Sequence, residues 1–304
     1  MSRHAGSLTH YFLSSALCLA AGSGVSALAA ADSPPDFGSN PSEAWFSYSR
    51  EFLPPASGAG PVRELPGHRH VSNDEYRLTG KQATFAMGDP DSPILQPWAA
   101  EQIRKRNALL LSGTPVFSQH ASCWPVGVTV FMMEPMTRPM FIVQGKRDVA
   151  MILTSFSDVR HVWLTDKHSP NLKPSWSGES IGHYEGDSLL IDTIGFNDKT
   201  FMDGYGTPHT DKLHVTERLH LIEGGQTMED NFHVEDPGAF TMPWDAVERY
   251  RHYEATVAKM SLKSIPVLAT PADGPLTEAI CAESTNSFLG LPALPVPQAS
   301  APDF

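Results

Sequence analysis

One predicted strand carries a carboxylate on a face that is otherwise aliphatic. Neighbouring side chains of a strand point to opposite sides, so the run KLHVTERLHL places Leu213, Val215, Glu217, Leu219 and Leu221 together. A bare carboxylate is costly to bury, and burial raises a carboxyl pKa toward neutrality, where the group can give and take a proton. Two interpretations of Glu217 stay open: a catalytic acid/base, or a structural side chain that bonds the backbone or pairs with an arginine.

The next predicted strand repeats the pattern. In QTMEDNFHVE, Asp230 alternates with Met228, Phe232 and Val234. If both apolar faces line one interior, Asp230 joins Glu217 there, and two carboxylates in an apolar setting push their pKa values apart. A shift of one residue in register would instead place Asp230 in solvent.

A polar loop precedes the strand of Glu217. The segment 197–210 holds Asp198, Asp203 and His209 among glycines and a proline, and binding or catalytic residues are common on such loops. We expect Glu217 to be the general acid or base, His209 its partner, and Asp203 the group that orients His209. For the aspartates, the alternative is that they bond the backbone of their own turns.

These residues need a β-structure to bring them together. Between Met140 and Tyr253 the chain consists of short β-runs with turn signals between them, such as QGKRD, EGD and EGG. In HYEGDSLLID two strands meet across Gly186 and Asp187, where glycine supplies the positive φ of a hairpin turn. The pattern predicts a mainly β fold, in which an antiparallel meander closes into a barrel.

The sequence divides into four predicted segments. Residues 1–31 are typical of a cleavable export signal, and residues 32–135 form a loop-rich region with a helix near 97–111. Residues 136–288 form the barrel domain, and the proline-rich residues 289–304 are expected to be disordered.

Export to the periplasm or the outside of the cell would decide the redox state of the cysteines. Cleavage of the signal would remove Cys18 and leave Cys123 and Cys281. An oxidising compartment favours a disulfide between these two cysteines, which would close a loop of roughly 160 residues. Two buried free thiols are the alternative.

The net charge of −12 disfavours nucleic acid as a partner, and no later run is long and apolar enough to insert in a membrane. The oligomeric state is left open.

Familiar cofactor motifs are missing from the sequence. The 13 histidines and three cysteines show no HExxH or CxxC spacing, and there is no phosphate loop or dinucleotide fingerprint. We therefore expect no metal and no cofactor.

The run PSWSGESIGHYEGDSLLIDTIGFNDKTFMDGYGTPHTDKLHVTERL resembles a large family of exported, mostly uncharacterised bacterial proteins. Its signature is WxGxSIGxWEGDTLVVDTxGFND followed by PHS and ER, and the match covers Pro174 to Leu219. Here Tyr184, Phe201 and Thr210 replace the usual Trp, Trp and Ser, and Asp230 stands where the family is apolar. The resemblance implies a lipocalin-like barrel around one small apolar ligand. It adds His168, Trp176, Asp198 and Arg218 as expected substrate-binding residues.

Together these features predict a cofactor-independent periplasmic enzyme. It would act by general acid/base proton transfer on a small, largely hydrophobic molecule, as an isomerase, dehydratase, lyase or hydrolase. The alternative is a non-catalytic carrier or binding protein for a small apolar ligand, which needs a cavity but no titrating pair.

Overall fold

The computed structural model describes a large part of the chain. The described residues are 33–38, 44–47, 51–71, 75, 76, 79–114, 116, 117, 119, 123–133, 140–153 and 158–252. The expected export signal, the proline-rich tail and Cys281 lie outside them, so the disulfide stays a prediction. Among the described residues, no helix is long and apolar enough to cross a membrane.

The described strands form a closed barrel, as the sequence predicts. Their order around the barrel follows the chain, and the last strand pairs with the first. The strands are β1 (Trp45–Ser47), β2 (Met140–Gln144), β3 (Asp148–Leu153), β4 (Asp158–Leu164), β5 (Glu179–Glu185), β6 (Ser188–Ile194), β7 (His214–Ile222), β8 (Thr227–Glu235) and β9 (Trp244–His252). The mainly β, lipocalin-like architecture is thus confirmed.

One pair of strands departs from the expected antiparallel meander. β4 and β5 run parallel, with Val162 opposite Ser180. Parallel neighbours cannot be joined by a tight turn, and here residues 165–178 carry the chain back to the start of β5. The hairpin between β5 and β6 is as predicted: Glu185 pairs with Ser188, and Gly186 has a φ of +57°.

The alternation predicted for β7 is confirmed. Val215, Glu217 and Leu219 are buried inside the barrel, and Leu221 packs partly buried against the core. His214 and His220 lie on the opposite face, where their side chains are 35% and 21% exposed. The strand register that underlies the expected site is therefore correct.

Two helices accompany the barrel in the described residues. α1 (Pro97–Leu111) has the predicted bounds and buries Ala99, Ile103 and Leu110. α2 (Val128–Met133) is buried at every residue, and the inward-facing Tyr250 donates a hydrogen bond to the carbonyl of Met132. Side chains and this helix thus fill much of the space that a lipocalin-like barrel can use for a ligand.

Candidate functional site

Glu217 belongs to a buried polar network inside the barrel. Its Oε1 accepts a hydrogen bond of 2.8 Å from Nη1 of Arg160, and its Oε2 accepts one from Nη2. The same guanidinium donates to the hydroxyls of Ser180 and Thr193 at 3.1 Å. The side chains of Arg160 and Glu217 are 3% and 0% exposed. The structure thus shows a glutamate paired with an arginine.

Two further carboxyl groups lie in this network. Asp230 is fully buried beside Glu217, as expected if β7 and β8 share one interior. Burial raises the pKa of Asp230 well above its ordinary value, and the negative charge of Glu217 raises it further. Burial also raises the pKa of Glu248 to about 8, although the Ser47 hydroxyl donates a 2.7 Å hydrogen bond to it. Burial thus favours the protonated form of both acids.

The network is sealed from solvent. Glu217 borders an outside groove, but its side chain has no exposed surface, so the contact with the groove is made by its backbone. Oδ1 and Oδ2 of Asp230 lack a hydrogen-bond partner among the described residues. An Asp230 that is protonated removes the cost of an unpaired buried charge. This arrangement stabilises a core and offers a substrate no approach.

His209 is also buried, with both ring nitrogens in hydrogen bonds. Nδ1 donates to the carbonyl of Thr210 at 3.0 Å, and Nε2 lies 2.6 Å from the hydroxyl of Thr200. Because a carbonyl only accepts, the neutral ring has its proton on Nδ1 and accepts the Thr200 proton on Nε2. Burial lowers the pKa of His209, which favours this neutral form.

Asp203 accepts hydrogen bonds from residues of its own turn, in agreement with the alternative interpretation of the loop aspartates. Oδ1 accepts the backbone N–H of Tyr205 and of Thr207, and Oδ2 accepts the Thr207 hydroxyl at 2.6 Å. No described hydrogen bond joins Asp203 to His209, and their positions do not place one as the orienter of the other.

Asp198 and His209 share a cavity next to α1. This cavity of about 860 Å³ is bordered by Trp98, Phe201 and Asp211 as well. Trp176 lies in an aromatic cluster instead, with its ring 5.0 Å from that of Trp124 and the Lys199 amine 5.4 Å from its centre.

His168 belongs to a chain of alternating acids and histidines along one edge of the barrel, which we call the rim row. Successive members are joined by contacts of 2.7 to 3.5 Å. In order they are Glu179, His168, Asp192, His214, Glu235, His233 and Asp245. The shortest contact joins Nδ1 of His233 to Asp245, and the hydrogen bond that His233 donates to Asp245 raises the pKa of His233.

An open groove with a volume of about 1130 Å³ lies on the outer face of β5 to β9. We call it the outer groove. One cross-strand row forms its floor, with Leu190 opposite Arg218, Arg218 opposite Asn231, and Asn231 opposite Val247. Val247 in turn pairs with Leu53, and residues 53–57 form one wall of the groove. Residues 165 and 166 line another part of the groove.

The expected site residues thus fall into separate places. Glu217 and Arg218 occupy opposite faces of β7. His168 belongs to the rim row at the edge of the sheet, and Arg218 lies on the outer face of the same sheet. His209 and Asp198 lie by α1, and Trp176 lies in the aromatic cluster. The described hydrogen bonds do not connect Glu217 with His209.

Sequence reasoning missed Arg160 and Glu248. In WDAVERYRH, Glu248 alternates with Trp244, Ala246 and Tyr250, so the period-2 pattern marks it as inward-facing. Arg160 gave no such signal, because its outward neighbours on β4 are also apolar: Val159 and Trp163 are 49% and 47% exposed.

No protein-family model, curated protein or solved structure matches the chain. The family resemblance therefore stays a prediction. Within the described residues, no group of three or more His, Cys, Asp or Glu side chains has an arrangement that could hold a metal ion.

Proposed function

We propose that the protein binds a small, largely hydrophobic molecule in the outer groove. The observation that carries this proposal is the groove itself, whose volume of about 1130 Å³ lies a little above the roughly 300 to 1,000 Å³ of typical ligand pockets and leaves room for a small molecule. Its surface combines apolar side chains such as Leu53, Leu190 and Val247 with about as many polar residues, so a bound molecule would contact both kinds of surface. The barrel interior, filled by core side chains and the Arg160 network, is a poorer candidate.

The binding test uses Nile red, a neutral apolar dye, and one substitution on the groove floor. Val247→Asp places a charge where the dye would rest and removes the burial of one valine, worth about 1.5 kcal/mol, so we expect affinity to fall about 10-fold or more. Val143→Asp is the matched control, since Val143 is 54% exposed and does not border the groove. Equal affinity of both variants and the wild type would place binding elsewhere.

Proton-transfer catalysis is a second candidate, favoured by one pair of the rim row. His233 and Asp245 border the outer groove with Nδ1 and Oδ1 2.7 Å apart. An aspartate on one ring nitrogen orients a histidine and supports its protonated form, which is the arrangement of many general acid/base catalysts. A reaction that consists of proton transfers needs no cofactor.

Deuterium incorporation distinguishes an enzyme from a carrier protein. The purified protein would be incubated in D₂O with a small-molecule extract, and mass spectrometry would record deuterated or isomerised compounds. We expect His233→Asn to reduce such turnover about 10²-fold or more. His161→Asn is the control, because His161 pairs with Asp148 at 3.0 Å outside the groove. Compounds that are retained but never altered would identify a carrier.

We further propose that the protein acts in the periplasm or outside the cell. The support is the export-signal pattern at residues 1–31 and the even cysteine count that remains after its removal. Signal cleavage would be read from the N-terminal sequence of protein recovered from the periplasm. Full-length protein confined to the cytoplasm would contradict the proposal.

A further inference from the structure

Arg218 lies in the middle of the outer groove and is weakly engaged by other residues. Its side chain is 49% exposed, and its ion pair is with Asp187 at 3.7 Å. That distance is too long for a hydrogen bond, and the Asp187 side chain is itself 81% exposed, where an ion pair contributes little. Within the described part of the chain, the guanidinium therefore keeps most of its donors for solvent or a ligand.

Several other charged groups of the groove have closer partners than Arg218. Arg249 donates to Glu229 at 2.7 Å. Asp192 contacts His168 and His214, and Asp245 contacts His233. Each of these groups has a partner within 3.4 Å, so Arg218, whose ion pair spans 3.7 Å, has the weakest internal partner among them.

The neighbours of Arg218 on the floor suit a molecule with one polar end. Asn231 lies directly opposite Arg218 and adds amide donors, with only a long 3.4 Å hydrogen bond to Glu229. Beyond Asn231 come Val247 and then Leu53, each one strand further, so apolar surface begins about 10 Å from Arg218 and continues into Pro54. On the other side Arg218 adjoins Leu190.

From this arrangement we propose that the ligand of the outer groove is a small amphipathic carboxylate. Its carboxylate binds Arg218 and Asn231, and its hydrocarbon part lies along Val247, Leu53 and Pro54. Arginine matches a carboxylate with two parallel N–H donors and stays charged at every physiological pH. The inference rests on the proposed binding function and specifies the ligand for the same groove.

The experiment compares decanoate with decanol, which share a hydrocarbon chain and differ in charge. Each competes with Nile red at neutral pH for wild-type protein, Arg218→Gln and the control Arg104→Gln, since Arg104 is likewise 49% exposed and does not border the groove. We expect the wild type to bind decanoate at least about 10-fold more tightly than decanol, the effect of one charge-assisted hydrogen-bond pair. Arg218→Gln should lose this preference and keep its affinity for decanol, and Arg104→Gln should retain both.

The outcomes separate the two proposals. If neither Nile red nor decanol binds the wild-type protein, the proposed binding function is wrong. If decanol binds and decanoate binds no more tightly, the carboxylate inference is wrong while the binding function stands. Retention of the decanoate preference in Arg218→Gln would also overturn the inference. Unchanged circular dichroism spectra and melting temperatures of both variants would show that they are folded.

Discussion

Replacement of Glu217 by glutamine tests whether the buried network is a structural element of the core. Glutamine keeps the shape of glutamate, but it has no negative charge and turns an NH₂ group toward Arg160. The guanidinium donates to both oxygens of Glu217 in the wild type and is 3% exposed. In Glu217→Gln its charge would stay buried without the compensating carboxylate.

The expected loss of stability is large. Removing one partner of a buried ion pair typically costs about 3 to 5 kcal/mol of unfolding free energy, because the remaining charge is uncompensated. For a chain of this size each kcal/mol lowers the melting temperature by about 2 to 4 °C, so a fall of roughly 6 to 20 °C is expected. Asp230 could replace the lost charge only by ionising, which its burial disfavours.

Urea denaturation followed by circular dichroism measures this free energy. Glu185→Gln is the control, since Glu185 is exposed at the end of β5 and should change stability by no more than about 0.5 kcal/mol. The double variant Arg160→Met with Glu217→Leu should be more stable than Glu217→Gln, because it leaves no unpaired charge. A melting curve of Glu217→Gln equal to the wild type would refute the structural role and return Glu217 to the list of catalytic candidates.

Two other predictions concern buried groups, and a third concerns the cysteines. In the folded protein the pKa of Glu248 is about 8, above the ordinary 4.5, so its contribution to stability is complete below pH 4.5 and is lost as pH rises toward 8. Urea denaturation at a series of pH values should show the unfolding free energy falling across this range, and Glu248→Gln should flatten the fall. Thr200→Val removes the 2.6 Å partner of His209 and should cost about 1 to 3 kcal/mol in thermal unfolding, whereas an unchanged midpoint would mean that the hydrogen bond is replaced. Intact mass with alkylation before and after reduction should show one disulfide in the exported protein; two alkylated thiols without reduction would contradict the Cys123–Cys281 pairing.

Periodicity predicted the interior of the barrel because each strand has one buried face. On β7 and β8 the alternation of Val215, Leu219 and Phe232 with polar residues places Glu217 and Asp230 inside, and the structure agrees. The same rule is uninformative on β4, where Val159 is exposed although it is apolar. The partner of Glu217 therefore could not be found from the sequence.

Long-range assembly accounts for what the sequence did not predict. The parallel pairing of β4 with β5 depends on the path of residues 165–178, which has no strand pattern of its own. The outer groove combines Leu53 with Arg218 and Val247, residues from distant segments that resemble ordinary surface side chains when each strand is considered alone. A groove on the solvent face leaves no period-2 signal, because polar and apolar residues are both common there.

The position of a bound apolar molecule tests the central claim most directly. A crystal structure of the protein with a brominated naphthalene would locate the bromine by its anomalous scattering. We predict a bromine peak in the outer groove, over the row that contains Leu190, Arg218 and Val247. A peak inside the barrel, beside Glu217 and Asp230, would contradict the account and restore an enclosed lipocalin-like site.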